Sequence, residues 1–294
     1  MKQPLKTKLV NFLAESPQHL QEIYDNFPEE KQSTIRGRLN ENINKCFRRI
    51  ARGTYLATVG DAQLLLIEGD AWEKIKDIED HCIDAIITDS GYTCLNEFVA
   101  TGTTRKKSNE LTYRTKDIDL ELLAEFERVL KPGGHFFSFL PADSAKTLDY
   151  NNRFINMAIS SGFRFNKRFI WDKQYISMGY NGRAKYEQVI FLSKGKRQMP
   201  YDLSISDCID CKRIAPKSKI HEAEKPVELL EALVKFCSKK GDVILDPFAG
   251  SMSTAKACLR HNRNAVCIEI SPKIIGEVLP HLEKEVEVVT TLRK

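Results

Sequence analysis

The chain has no apolar run near the roughly 20 residues that cross a bilayer. Its opening, Met1-Lys2-Gln3-Pro4, lacks the apolar centre of a secretory signal. Both absences predict a cytoplasmic protein with no membrane partner. Cysteine occurs eight times but without a zinc or disulfide pattern. Cys208 and Cys211 form one C-x-x-C, and no second pair follows at zinc-ribbon spacing. His221 would be only a third ligand where a tetrahedral site wants four, so no metal is expected. Cys237, Cys258 and Cys267 sit in apolar surroundings, as free buried thiols do. G-x-G-x-x-G is absent, which excludes the dinucleotide fingerprint. No Gly-Lys-Ser/Thr follows a glycine-rich turn, which excludes a phosphate loop. No internal repeat is visible.

What is present fits a folded protein: 294 residues, 42% hydrophobic and 29% charged, enough for one large domain and a small one. The net charge of +5 is uneven. Residues 1–60 hold ten Lys/Arg against six Asp/Glu, an excess that favours a polyanionic partner. Leu9 to Ala14 reads as a helix, and Leu20 to Phe27 as a second. A third opens at Pro28-Glu29-Glu30 and carries Ile35, Leu39 and Ile43 at spacings of four. Phe47 to Leu56 then alternates like two strands about Gly53. Three helices and a basic hairpin resemble a winged helix, whose third helix enters a DNA groove. That resemblance implies exposed Gln32, Ser33, Arg36, Arg38 and Asn42 on the third helix, and a wing carrying Arg48, Arg49 and Arg52. The expected boundary lies near Val59-Gly60-Asp61, giving a winged-helix-like module at 1–58 and a second domain at 59–294.

The most informative stretch is Asp246-Pro247-Phe248-Ala249-Gly250-Ser251-Met252-Ser253-Thr254. It follows the apolar run Val243-Ile244-Leu245 and precedes a helix-like run, Ala255 to Arg260. A strand ending in an acid, then a turn of small residues, then a helix lets a ligand approach the backbone closely. Glu269 closes the next apolar run, Ala265 to Ile268, and an acid there suits ribose hydroxyls. These features predict a site for a nucleoside-type cofactor. The turn resembles the cofactor loop of amino-methylating DNA methyltransferases, Asp-Pro-Phe-x-Gly-Ser-Gly-Thr-Thr, with Met252 at the second glycine.

A second motif resembles the same family. Leu64 to Ile67 reads as a strand ending in Gly69-Asp70, and Ile83 to Thr88 as one ending in Asp89-Ser90-Gly91-Tyr92. The family has Asp-Pro-Pro-Tyr there, or Ser or Asn at the first place. Phe126 to Gly134, Trp171-Asp172-Lys173, Tyr186-Glu187, Ser193-Lys194-Gly195 and His221 to Leu230 carry further matches, so the resemblance spans residues 62–275. Because the catalytic motif precedes the cofactor motif, the order is that of the family's permuted β group. The implied fold is α/β: a doubly wound, Rossmann-like methyltransferase sheet entered at its fourth strand, behind the small winged-helix-like domain.

The resemblance implies S-adenosylmethionine as cofactor, held by Asp70, Lys225, Asp246, Pro247, Phe248, Ala249, Gly250, Ser251 and Glu269. It implies double-stranded DNA as partner, with a base flipped into the site. The target is an exocyclic amine, a poor nucleophile because its lone pair is conjugated with the ring. Asp89 and the carbonyl of Ser90 would accept its hydrogens and hold it in line, and Tyr92 would stack on the base. Ser90-Gly91 in place of Pro-Pro keeps the carbonyl and loses rigidity. Asp89 favours adenine N6. Cytosine N4, an RNA or small-molecule substrate, and a DNA-binding protein with an impaired methyltransferase domain stay open, as do a homodimer and a companion restriction nuclease. Thr101 to Lys116, with Arg105, Lys106 and Lys107, would form a basic loop able to clamp phosphates. Trp171 and the loop Met178 to Arg183 are further candidates for base contact.

Overall fold

Strands that are apolar along their whole length need cover on both faces, which a parallel sheet between helices supplies. Val243–Asp246 and Asn264–Glu269 are of this kind, with every residue buried. The computed structural model describes residues 3–58, 60–91, 116–176, 182–219, 224–285 and 289–292. The strands numbered here are β4 (Leu64–Glu68), β5 (Ile83–Thr88), β6 (Leu130–Leu140), β7 (Phe163–Asp172), β8 (Tyr186–Lys194), β9 (Cys208–Asp210), β10 (Val243–Asp246), β11 (Asn264–Glu269) and β12 (Val289–Leu292). They form one sheet in the order β12-β4-β11-β10-β5-β6-β8-β7-β9. β8 runs antiparallel to β6 and β7, and the remaining pairings are parallel. The late strands β10 and β11 sit between the early strands β4 and β5, as the permuted order predicts.

Side chains alternate across this sheet. Ile87, Phe137, Phe191 and Ile244 point to a layer made by α7 (Val227–Cys237), α8 (Ser253–Arg260) and α9 (Pro272–Glu285), through Leu233, Cys258 and Ile275. Ile86, Phe136, Val243 and Leu245 point to α5 (Leu120–Val129) and α6 (Leu148–Ser160), through Leu122, Phe126 and Phe154. The sheet is therefore doubly wound. α7 starts after Pro226, and Leu230, Val234 and Cys237 are buried on its inner stripe, as its sequence spacing predicts.

The front segment has its own apolar cluster, with Leu9, Leu13, Ile23, Phe27, Ile35, Leu39 and Phe47 at its centre. Its helices are α1 (Leu5–Glu15), α2 (Leu20–Asn26) and α3 (Gln32–Glu41). Its strands are β1 (Gln18–His19), β2 (Phe47–Ala51) and β3 (Thr54–Ala57), paired antiparallel in the order β1-β3-β2. Thus β1 adds a strand that the sequence reading lacked. Ile50 and Leu56 of the hairpin are buried in the large body's core and not in the front cluster. The hairpin is thus the joint between the two.

Two readings of that hairpin and helix need correction. Arg48 is no exposed wing residue: it is buried, its Nη1 is 2.6 Å from Asp84 Oδ2, and it donates to Cys82 O at 2.9 Å. Asn42 is buried as well, its Nδ2 donating to Arg38 O at 2.8 Å. Both were read as surface because their polarity outweighed their position, yet Arg48 lies two residues from inward-facing Ile50.

Candidate active site

The parallel pairing of β10 with β5 sets two acids side by side at their C-terminal ends. Such ends, where the strand order reverses, are where open α/β sheets bind ligands. Asp246 closes β10 and is buried. Its Oδ1 accepts from Phe248 N at 3.1 Å and from Thr88 Oγ1 at 3.3 Å. Burial nevertheless pushes its carboxyl up to about 7, with neighbouring Asp89 adding to the rise. Asp89 follows β5 directly and faces the same cleft.

The turn after Asp246 is tied at both ends. Ala249 N donates to Ile268 O at 3.0 Å, and Gly250 N donates to Glu269 Oε2 at 2.8 Å. Glu269 Oε1 accepts from Ser271 N at 2.8 Å, so this buried acid braces two loops. Gly250 has φ 47° and Met252 has φ 59°, both left-handed. A methionine thus adopts the backbone form that the family's second glycine favours, and its side chain is buried in the core beneath α8. The Met252 departure leaves the shape of the turn intact.

The cleft is open to solvent and is lined by Asp89, Phe139, Lys225, Asp246, Phe248 and the turn Ala249-Gly250-Ser251, among others. Lys225, just before α7, is half-buried here, its side chain 12% exposed. Its Nζ pairs with Asp89 Oδ2, lies 3.5 Å from Glu187 Oε2, and sits 5.1 Å from the centre of the Phe139 ring. Burial alone would lower its pKa, but Asp89 and then Glu187 outweigh it and hold the ammonium well above the usual lysine range. Glu187, at the start of β8, is pushed up by burial and held lower overall by Lys225 and Lys173, whose Nζ is 3.4 Å from its other oxygen. Lys173, Glu187, Lys225 and Asp89 thus form one alternating chain of charge. Sequence reasoning used Glu187 only as a strand marker. The available signal was a charged residue near the start of a strand whose centre, Val189 to Leu192, is wholly apolar.

Of the residues expected at the site, Asp89, Lys225, Asp246, Phe248, Ala249, Gly250 and Ser251 meet at this cleft. Ser90 is buried and Gly91 half-buried beside it. Pro247 belongs to the same turn. Asp70 caps α4 (Ala71–Lys74), its Oδ1 accepting from Trp72 N at 2.8 Å. It is not among the residues that line the cleft, and the ring of Trp72 packs 5.6 Å from that of Phe248. Tyr92, Arg105, Lys106 and Lys107 lie outside the described residues. Trp171 is a core residue, its Nε1 donating to Cys211 O at 2.7 Å, which corrects its reading as a base contact. In the front segment, Arg36 Nε donates to Tyr24 Oη, Arg38 pairs with Glu41 at 2.6 Å, and Arg49 pairs with Glu79 at 2.8 Å. Arg52 is exposed in the hairpin turn.

A basic rim that the sequence reading did not single out flanks the cleft. Lys212 and Lys217 are exposed on the chain after β9, and Arg213 lies over the Tyr175 ring at 3.4 Å. Arg213 N donates to Lys173 O, anchoring this chain to the end of β7 at the same edge as Asp89. Lys219 lies close enough to the site that, after burial, the charge of Lys225 helps to lower its pKa.

Comparison with known proteins gives a consistent result. The N6_N4_Mtase family, described as DNA methylase, matches residues 83–278. The Type II methyltransferase M.HhaII of Haemophilus parahaemolyticus is 28% identical over 165 residues, 55% of this chain and 69% of that protein. The DNA adenine methyltransferase YhdJ of Escherichia coli (strain K12) is 24% identical over 261 residues, 76% of this chain and 84% of that protein. Among solved structures, the M1.HpyAVI–SAM complex superposes with a TM-score of 0.54 at 20% identity, covering 74% of this chain and all of that one. With two thirds of its length matched and the cleft residues inside or adjoining that span, the chain belongs to the N6/N4 DNA methylase family.

Proposed function

We propose that this protein methylates an exocyclic base amine in double-stranded DNA, with adenine N6 as the target, using S-adenosylmethionine. The observation that supports this most directly is the shared cleft between Asp89 and Asp246. The residues fit the cofactor. The cleft sets two acids, an aromatic ring and a turn of small residues around one opening, the mix of apolar and convergent polar groups that small-molecule sites use. Among the described residues no cation is bonded to the buried carboxyl of Asp246, so a cationic ligand would favour its ionised form. Phe248 offers an apolar face, and the turn brings the backbone close. Glu269 would keep that turn in place and could also meet ribose hydroxyls. When bound, the cofactor supplies a methyl group already activated on a sulfonium, so no protein nucleophile is required.

The chain's own residues would prepare the amine. Asp89 accepts one amine hydrogen and the Ser90 carbonyl accepts the other, which raises electron density on nitrogen and fixes its direction. Lys225 pairs with Asp89 and keeps it in place until the base arrives. Glu187 then offers Lys225 a second carboxylate, so Asp89 can turn to the base without leaving a buried ammonium unpaired. The basic rim at Lys212, Arg213 and Lys217 would meet the phosphates of the duplex whose base enters the cleft. Tyr92 is proposed as the stacking face, and Arg105, Lys106 and Lys107 as further phosphate contacts.

The test is expression in a host without DNA methylation, followed by nucleoside analysis of its DNA. N6-methyladenine is expected. N4-methylcytosine would correct the target, and neither base would overturn the reading.

A further inference from the structure

The front segment is fastened to the edge of the sheet opposite the active site. Gln63 Nε2, just before β4, donates to Leu13 O. Glu79 N, before β5, donates to Ile50 O at 2.8 Å, and Arg48 reaches Asp84 near the start of β5. Before β10, the chain passes so close to the front segment that a Cβ on Gly241 would stand 2.7 Å from Thr58 O. Every one of these contacts lies at the N-terminal end of a strand. Asp89, Asp246 and Glu269 all lie at the C-terminal ends. Strands of four to six residues separate the two edges by roughly 13–20 Å, before the thickness of the front segment is added.

The docking also sorts the charge. Arg48 and Arg49 turn toward the body and are neutralised there by Asp84 and Glu79. α3 remains on the surface. It packs inward through Ile35 and Leu39 and exposes Lys31, Gln32, Ser33, Thr34, Arg36, Arg38 and Asn40. Its one acid, Glu41, is paired with Arg38. Arginine, asparagine and glutamine on an exposed helix are the side chains that read base edges, and along α3 and its N-cap three cations, Lys31, Arg36 and Arg38, stand against Glu41.

We infer that α3 forms a second duplex-binding surface, separate from the one that feeds the active site, so that a single chain holds two DNA segments. The inference rests on the methyltransferase reading for the first surface. Because the two surfaces face different edges, changes on α3 should leave methyl transfer intact while removing one bound duplex.

The experiment counts bound duplexes per chain, using fluorescent 12-bp random-sequence DNA at low salt and sedimentation. Each such duplex is about 40 Å long. The wild type should bind two per chain. Lys31→Glu with Ser33→Glu should bind one, and methyl transfer to unmethylated genomic DNA should stay within about 2-fold. Acids in the first turn suit the helix dipole, so α3 should keep its fold. Lys31→Ala with Ser33→Ala checks this by weakening the same duplex without new charge. Lys212→Glu with Lys217→Glu should also bind one duplex, but should lose methyl transfer. A wild type that binds one duplex per chain would overturn the inference, as would an α3 variant that still binds two. So would a fall in methyl transfer in the α3 variant that tracks its loss of DNA binding, since the two surfaces would then share a duplex. A wild type that binds two duplexes yet methylates nothing would instead sink the functional reading and leave the second surface standing.

Discussion

Asp84 and Asp89 lie on one strand, five residues apart, and do different work. Asp84, near the start of β5, is saturated: Arg48 reaches one oxygen at 2.6 Å, Lys131 reaches the other at 2.5 Å, and Val243 N donates at 2.8 Å. It is not among the residues that line the cleft. Asp89, just past the strand's end, is paired with Lys225 but borders an open cleft. Both are carboxylates held by cations, so a charge partner does not mark a site. What marks it is open volume beside the carboxylate, together with a partner that has an alternative. Lys225 has Glu187 as that alternative; Arg48 is left with the Cys82 carbonyl.

The sharpest break in this comparison is Asp89→Ala. It should lower methyl transfer by at least about 10²–10³-fold, the loss expected when one group that aligns or stabilises the reacting atoms is removed. Cofactor affinity measured by calorimetry should change little, because Lys225 retains Glu187. Activity surviving in this variant would move the catalytic role away from β5.

Asp84→Ala should do the reverse. Removing the acid leaves Arg48 buried and unpaired, a loss of about 3–5 kcal/mol in stability. Denaturant unfolding should show it. Turnover per folded molecule should stay within a few-fold, since the residue lies at the far edge of the sheet. A large loss of turnover without loss of stability would mean that the joint is coupled to the cleft.

How much of this contrast could be read in the sequence differs between the two acids. Asp89 and Asp246 were legible because each ends a strongly apolar run, and strand ends are where function collects in such sheets. Asp84 was not, because its role depends on a hairpin more than thirty residues earlier docking beside it. The same docking hid Arg48, whose charge pointed to solvent while its two-residue offset from Ile50 pointed inward. Glu187 was missed because its partners, Lys173 and Lys225, come from different segments. β1 is two residues long and exists only by pairing with β3, so no periodicity could reveal it. The central strands of the doubly wound sheet were legible, since local alternation and order of motifs agree there, whereas the short edge strands β9 and β12 were not read.

A third test uses pH to separate Asp246 from the saturated acids. Its folded pKa, about 7, lies above the unfolded value of 3.8. A carboxyl raised on folding destabilises the fold as pH climbs from the unfolded value through the folded one. The cost is absent below about pH 4 and complete above about pH 7. Asp246→Asn keeps an acceptor for Phe248 N and removes the titration. The variant should match the wild type near pH 3.5 and exceed it at pH 8 by about 2–4 kcal/mol, while binding S-adenosylmethionine more weakly. Equal stabilities at both pH values would show that Asp246 is not strained by burial. Saturating cofactor should shrink the wild type's loss at high pH, since a cation beside the carboxylate offsets its desolvation.

The smallest effect is expected at Met252, where two terms oppose each other. A non-glycine residue at φ 59° costs roughly 1–2 kcal/mol, which glycine would remove. Against that, the Met252 side chain is buried with Ala255, Cys258 and Leu259 in the core, and its removal should cost about 2–5 kcal/mol with the cavity included. Glycine also adds about 0.5–1 kcal/mol of chain entropy to the unfolded state. The side-chain loss wins, so Met252→Gly should be less stable by about 1–3 kcal/mol, although it restores the family's residue. Cofactor affinity should stay within about 3-fold, because Met252 shapes the turn from beneath and does not line the cleft. The paired measurements are urea unfolding and calorimetry on the same variant. A gain in stability would show that backbone strain outweighs packing here, and would make Met252 a cost carried in the turn, not a support for it.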